Sequence, residues 1–375
     1  MRLCAVCFLS VVGTASVLAQ AAAPAPEDEI VFSNGDRLTG KLTRVAGGSV
    51  QFHSDIAGDV TISIDKVKEL HTQGNYAVLL HGVPVKQSQA AKPGKIEVAD
   101  SNVTVTPPSS PAETSSSKDV AYVIDEATFK KELARTPSFM DGWNGTVNLG
   151  ATLVQSTQHG GTVNFGTSLV RQLPVLTFFP PRNKTIVNFQ ETYGQLTQDT
   201  EPALGIVGST VKTSIMHADA ERDEYISKRF FILATTSFDH NYSQFLQLQQ
   251  IYGAGVGYNV FTKPKQQLDV RVDAHYEKQE FIIPSSNTNL FGSTFSENYR
   301  ATLPLKLAFT ESLALTPSWS DPSVYSGIFS AGLALPVWKR LAISFNTTDN
   351  YLSNPPAGAT KNSFQFNSGL TYTLR

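Results

Sequence analysis

Only two cysteines occur in the 375 residues, Cys4 and Cys7, so nothing after the seventh position carries a thiol. Disulfides and thiolate metal sites are thereby excluded from the rest of the chain. An excess of one charge is also missing: 30 Lys and Arg stand against 32 Asp and Glu. With no basic cluster, the sequence gives no footprint for a nucleic-acid partner. Past the N-terminus no apolar run is long enough for a membrane helix. The seven histidines include no pair at metal-ligand spacing, and no cofactor motif is found.

What is present begins with an export signal at residues 1–21. Arg2 supplies the positive start, residues 3–12 the apolar stretch, and Val17-Leu18-Ala19 or Ala19-Gln20-Ala21 a small-residue cleavage site. The apolar stretch is too short to span a bilayer, and Cys4 and Cys7 sit too early in it for lipidation. Residues 29–105 then predict a small SH3-like β domain. Asn34-Gly35 and Gly47-Gly48 are turn signals between short runs such as Ile30-Val31-Phe32 and Val50-Gln51-Phe52. Residues 106–120, rich in Pro and Ser, read as an extended linker. Within a lead-in at 121–140, residues 125–134 predict one amphipathic helix, opened by Asp125-Glu126 and ended before Pro137.

Residues 141–375 alternate apolar and polar side chains in runs of about ten, separated by turn signals. This is the pattern of an antiparallel transmembrane β-barrel, in which only every second residue meets lipid. Twelve strands can be placed, near 143–155, 162–172, 185–196, 208–219, 229–239, 246–260, 267–278, 294–308, 312–320, 325–336, 341–351 and 362–374, with ten as the alternative. Connections near 197–207, 279–293 and 352–361 are long; those at 261–265, Thr310-Glu311 and 337–340 are short. That assigns the long ones to the outer side and the N-terminal domain to the periplasm, residues 173–184 being a long exception on the short side. A soluble sandwich also alternates. Aromatics toward strand ends, among them Trp143, Tyr276, Tyr299, Trp319, Trp338 and Tyr351, favour lipid.

The segments Trp143-Asn-Gly-Thr-Val-Asn-Leu-Gly150 and Phe238 through Tyr258 resemble the salt-induced outer-membrane proteins of Gram-negative bacteria, a barrel family of unassigned function. Ser33-Asn-Gly-Asp-Arg-Leu-Thr-Gly-Lys41 and Ala57 through Val67 are similar to the small β domain that precedes that barrel. The resemblance implies fold and an outer-membrane location. Its motifs are architectural, so it brings no catalytic residue. Two departures are the stretch Thr157-Gln158-His159-Gly160-Gly161 and an ending Tyr372-Thr373-Leu374-Arg375 that is not aromatic.

Candidate chemistry is sparse. Gly253, Gly255 and Gly257 lack phosphate-loop spacing and fall on one face of a strand, where they make room for neighbours. His240 with Asp239 and Ser243 is the one cluster a lipid hydrolase would suggest. Glu221-Arg222-Asp223-Glu224 reads as a solvated turn. The charges Asp269, Arg271, Asp273, His275 and Glu277 share the lumen face of the seventh strand, and Arg300 and Lys306 that of the eighth. Pairs Asp273–Arg300 and Asp269–Lys306 are expected across the ladder, because an unpaired buried charge is costly. They would form a neutral plug or an ion-selecting constriction.

The functional expectation is a non-enzymatic outer-membrane barrel, a narrow pore or structural envelope protein. Its expected partners are outer-membrane lipids, the barrel assembly machinery and an envelope component bound through residues 29–105. The alternatives are an outer-membrane lipid-modifying hydrolase and a soluble, secreted glycan-binding sandwich.

Overall fold

The computed structural model describes residues 27–82, 89–135, 137–155, 158–176, 179–198, 200 and 207–374. The export signal read at 1–21 lies outside the described residues. The chain divides into two compact units, residues 1–130 and 131–375.

The first unit is antiparallel β throughout. Its strands are β1 (Asp28–Phe32), β2 (Arg37–Ala46), β3 (Ser49–Ser54), β4 (Gly58–Ser63), β5 (Val67–His71), β6 (Tyr76–Leu80), β7 (Lys95–Ala99), β8 (Asn102–Thr106), β9 (Glu113–Ser116) and β10 (Val120–Asp125). They run in the order β4-β3-β2-β1-β5-β7-β8-β9, with β10 paired to both β2 and β6. Gly35, at φ 91°, and Gly47 and Gly48, at 59° and 74°, take the left-handed turn positions foreseen for them. Alternate residues such as Ile30, Leu42, Val45, Val50, Phe52 and Ile96 meet in one core. Beneath it, the buried Asp28 carboxylate accepts from the backbone N–H of Leu42 and Gln73, at 2.8 and 2.7 Å. The Tyr76 hydroxyl lies 3.0 Å from the same carboxylate and 2.7 Å from the Leu42 carbonyl.

The stretch read as a linker, 106–120, is folded instead. β9 pairs with β8, and β10 carries the sheet on to Asp125. Pro107, Pro108 and Pro111 fall between β8 and β9, where a missing N–H breaks no ladder. The Thr and Ser that follow suit an edge strand, and Thr114 meets Thr104 across it at 3.1 Å. The predicted helix forms as α1 (Glu126–Phe129), continued by a wider π turn at Lys130–Ala134. Asp125 caps it by accepting from the Thr128 N–H at 2.9 Å.

The second unit is a closed barrel. Its strands are β11 (Trp143–Gln155), β12 (Gln158–Leu173), β13 (Asn183–Gln198), β14 (Ser209–Tyr225), β15 (Phe230–Asn241), β16 (Leu246–Lys263), β17 (Gln266–Phe281), β18 (Thr288–Gly292), β19 (Phe295–Thr302), β20 (Ala308–Pro317), β21 (Tyr325–Trp338), β22 (Leu341–Leu352) and β23 (Asn362–Thr373). β18 and β19 both pair with β17 and form one strand interrupted at Ser293-Thr294, so the barrel has twelve staves, not ten. The ladder closes where Thr146, Val147, Asn148 and Leu149 face Thr373, Tyr372, Thr371 and Leu370.

All twelve staves overlap the ranges that the alternation gives, with the ninth shifted toward the N-terminus and the fourth running on to Tyr225. The eighth is displaced toward the N-terminus, ending at Thr302, and the turn that follows is 303–307 rather than Thr310-Glu311. Leu303, Leu305 and Leu307 mimic a strand stripe. Pro304, however, has no N–H for the ladder, and Leu305 and Lys306 adopt left-handed backbone at φ 62° and 59°. The expected long connection at 279–293 is also mostly strand, since β17 runs to Phe281 and β18 begins at Thr288.

Two stripes result. Outward-facing rows such as Phe364, Phe366, Leu370 and Tyr372 on β23 are exposed, Phe364 and Phe366 by 66% and 63%. The facing rows, such as Gln365, Asn367, Thr371 and Thr373, look inward. Aromatic pairs gather at both ends: Phe261–Tyr299 and Tyr299–Phe309 near the short turns, Tyr276–Phe291 and Tyr325–Tyr351 near the long connections.

Candidate functional site

The barrel interior concentrates the chemistry. On β17 the residues Asp269, Arg271, Asp273, His275 and Glu277 take the same face, as the alternation requires. Near the short-turn end Arg271 bridges two carboxylates, with Nε 3.2 Å from Glu221 Oε1 and Nη2 2.8 Å from Asp269 Oδ2. On the neighbouring staves Lys184 stands opposite Asp223 in register. Asp223 is 0% exposed and Lys184 is buried beside it. The buried Phe231 and Leu233 of β15 lie on the same wall. With Arg300, which lines the lumen from β19, three cations face three carboxylates, Glu221, Asp223 and Asp269. Balanced charge is what a low-dielectric interior demands.

Sequence reasoning missed Lys184, Glu221 and Asp223. The run 221–224 is not a turn: β14 continues to Tyr225, so Glu221 and Asp223 point inward. Arg222 and Glu224 point outward, paired at 2.6 Å, with Arg222 also donating to Thr185 Oγ1 at 2.8 Å. The signal was available in His217, Asp219, Glu221 and Asp223, polar at every second position.

Two expected pairs are not formed. The register sets Gln266 opposite Ala301, which carries Arg300 to Gln267 and brings the start of β19 to Val272. Asp273 accepts instead from the Thr294 N–H at 3.0 Å and contacts His275 Nδ1 at 2.7 Å. Lys306 sits exposed in the 303–307 turn, off the strand that was to aim it at Asp269.

Toward the long-connection end the interior becomes an amide and carboxylate network. Gln249 and Gln279 both donate to Glu277 Oε1 at 2.7 Å, and Asn354 donates to Gln279 at 2.9 Å. Between the two ends His217 is held by Asp239 at 2.6 Å and Asp219 at 2.9 Å, while Asn188 donates to Asp219 and accepts from Ser168. This arrangement separates the residues a hydrolase needs. Asp239 is engaged inside, His240 faces outward with Nδ1 2.9 Å from the Gln247 carbonyl, and Ser243 Oγ donates to Asn241.

The glycines Gly253, Gly255 and Gly257 lie on the inner face of β16, as expected. A Cβ on Gly257 would overlap the Phe231 ring, and one on Gly255 would meet Asp273. Three adjoining cavities run along the interior, the central one lined in part by Arg271 and Glu221 and the third by Asp273. One of about 510 Å³ near the short turns shares Ser168, Asn298, Arg300, Ser312 and Ser330 with a central one of about 400 Å³. The central one shares His217, Asp219, Ile328 and Asn350 with a third of about 190 Å³. Hydroxyls and amides make up most of the polar lining of these cavities.

Fold and interior together define a twelve-stave antiparallel β-barrel with an apolar outside and a polar lumen. The chain belongs to the family described as "Protein of unknown function, DUF481", whose model matches residues 184–374, in keeping with the resemblance to a barrel family of unassigned function. No curated protein matches it by sequence. Among solved structures it is similar to the translocator domain of the autotransporter NalP from Neisseria meningitidis, at 9% identity over 61% of this chain and 87% of that one, TM-score 0.31. It is also similar to a bacterial polysaccharide outer membrane secretin, at 9% identity over 62% and 97%, TM-score 0.32. A third is an anion-selective porin from Comamonas acidovorans, at 10% identity over 93% and 97%, TM-score 0.25. Likeness at these scores carries no functional weight, and the barrel rests on its own closed ladder.

Proposed function

We propose that this chain is an outer-membrane β-barrel whose lumen is a narrow pore for small hydrophilic solutes. The supporting observation is the contrast between its two stripes. Leucine, phenylalanine and valine are exposed in continuous rows around the outside, an arrangement that in water invites aggregation and in lipid satisfies the wall. Inside, cavities lined by Ser168, Ser312, Ser330, Thr348 and Asn350 adjoin one another along the strands. Arg271 and Glu221 of the charged cluster line the central cavity too and narrow the passage.

In this reading the short-turn end and the N-terminal sheet face the periplasm, where residues 29–105 engage an envelope component. Outer-membrane lipids and the barrel assembly machinery are the partners that such a location brings. The role is non-enzymatic: the polar residues that a lipid hydrolase would use point to opposite faces.

The experiment combines outer-membrane fractionation, heat-modifiable gel mobility and recording in planar bilayers. The expected result is an outer-membrane protein, compact before boiling, that gives small discrete conductance steps. Ser330→Trp, placed where the cavities of about 510 and 400 Å³ meet, is expected to lower those steps by about twofold or more while leaving the compact band intact. Wild-type protein that inserts and never conducts would leave a structural barrel and remove the pore.

A further inference from the structure

The segment that leads into the first stave presents two large apolar side chains to the outside. Phe139 is 74% exposed and Met140 77%. Their backbone is nonetheless pinned to the barrel rim. Arg171 of β12 donates from Nε to the Asp141 carbonyl and from Nη2 to the Ser138 carbonyl, both at 2.8 Å. The Asp141 carboxylate accepts from the Ser138 N–H at 2.9 Å and from Arg135 at 2.8 Å. At φ 82°, Gly142 lies so close to Leu173, Val175 and the Gln172 carbonyl that a side chain there would have to displace them. A loop this well tied would ordinarily fold its apolar groups inward; here they are held out.

What they continue is the lipid-facing stripe. The Trp143 ring stands edge-on to Phe139 with centroids 6.0 Å apart, and its Nε1 donates to the Phe139 carbonyl at 2.8 Å. Trp143 opens the outward row of β11, followed by Val147 and Leu149, and the half-exposed Val175 lies across Gly142 on the same rim. An indole at the head of a lipid-facing row, with Phe and Met beside it, has the composition of an interfacial anchor.

We propose that residues 138–143 form a foot that seats in the phospholipid monolayer at the short-turn rim, with Phe139 and Met140 entering the boundary between headgroups and acyl chains. The occupant of this surface is lipid. The inference rests on the membrane reading of the barrel, and the test separates the two. Cysteines are absent after Cys7, so single-cysteine probes are clean once Cys4 and Cys7 are absent. The mature full-length chain carrying Met140→Cys, and in parallel Ile343→Cys on the barrel wall, is labelled with an environment-sensitive dye. Each is reconstituted into phosphatidylethanolamine–phosphatidylglycerol vesicles with nitroxide-bearing acyl chains, heat-modifiable mobility confirming that it folds.

The expected result is quenching of about twofold or more at both positions, with a shallower depth at 140 than at 343. Quenching at 343 with none at 140 overturns the foot and leaves the barrel in its membrane. Absence of quenching at both overturns the membrane reading and the foot with it. Phe139→Cys repeats the measurement one residue away, and an unquenched probe there as well excludes local distortion by the Met140 change.

Discussion

Arg271 holds Glu221 and Asp269 at once, and this makes it the residue on which the interior electrostatics turn. Removing the guanidinium leaves Lys184 and Arg300 facing three carboxylates, of which Asp223 and Asp269 are buried. Breaking a buried pair from one side costs about 3–5 kcal/mol, because the partner charge remains without compensation. Arg271→Ala is expected to destabilise the barrel by that order, read as a lower urea midpoint for disappearance of the compact gel band. Adding Glu221→Gln and Asp269→Asn to it is expected to restore much of the loss, the non-additivity of a shared network. In the N-terminal sheet the corresponding residue is Tyr76. Burial, reinforced by the Asp28 carboxylate, pushes its phenol well above the usual 10. The folded state therefore prefers the neutral phenol, and this contribution to stability is complete below pH 10 and is lost as the pH rises beyond it. Tyr76→Phe is expected to lower stability near neutrality by about 1–2 kcal/mol through the lost hydrogen bond and to flatten the alkaline decline. Denaturant midpoints followed by tyrosine fluorescence across that pH range measure both effects.

Two adjacent staves, β15 and β16, show how elements are fitted to one another. Phe231 turns its ring inward, and the room for it is the missing side chain of Gly257 directly opposite in register. Gly257→Ala is expected to destabilise the barrel by about 1–3 kcal/mol through overpacking. The same change in a Phe231→Leu background is expected to cost distinctly less, and a double-mutant cycle on thermal loss of the compact band would measure the difference. Equal costs in both backgrounds would mean that ring and glycine do not share the space. Alternation made this face legible, because a period of two is a property of the strand alone. It could not make the register legible. Whether Asp273 meets Arg300 or Thr294 depends on where a turn falls, and the 303–307 turn is disguised by three leucines. The run 221–224 was hidden for the opposite reason: four charged residues look like a solvated turn when the strand carrying them points two of them into a lumen. The Pro and Ser of 106–120 likewise look extended, yet the prolines sit where the ladder needs no donor and the rest pairs.

For the molecule as a whole the decisive feature is the seam. Closure joins only the stretches Thr146–Leu149 and Leu370–Thr373 in register, whereas β12 and β13 pair along their full length from Gln158–Gln198 to Leu173–Asn183. A sheet closed by its shortest ladder opens there first, since each lost register position exposes backbone groups that hydrocarbon cannot satisfy. Thr146 and Thr373 face one another on the inner side of that seam. Cysteines at both positions are therefore expected to oxidise without rearrangement and to link stretches that lie at the two ends of the barrel sequence. Cross-linking over so long a loop restricts the open chain strongly, by about 2–5 kcal/mol. The oxidised double variant is expected to keep its compact gel band to a higher temperature than the wild type, and the reduced form to match the wild type. If no disulfide forms in folded protein, the first and last staves are not neighbours and the barrel is not closed. A disulfide that forms without raising the transition would place the first opening elsewhere, with the 303–307 turn and its two left-handed residues the next point to staple.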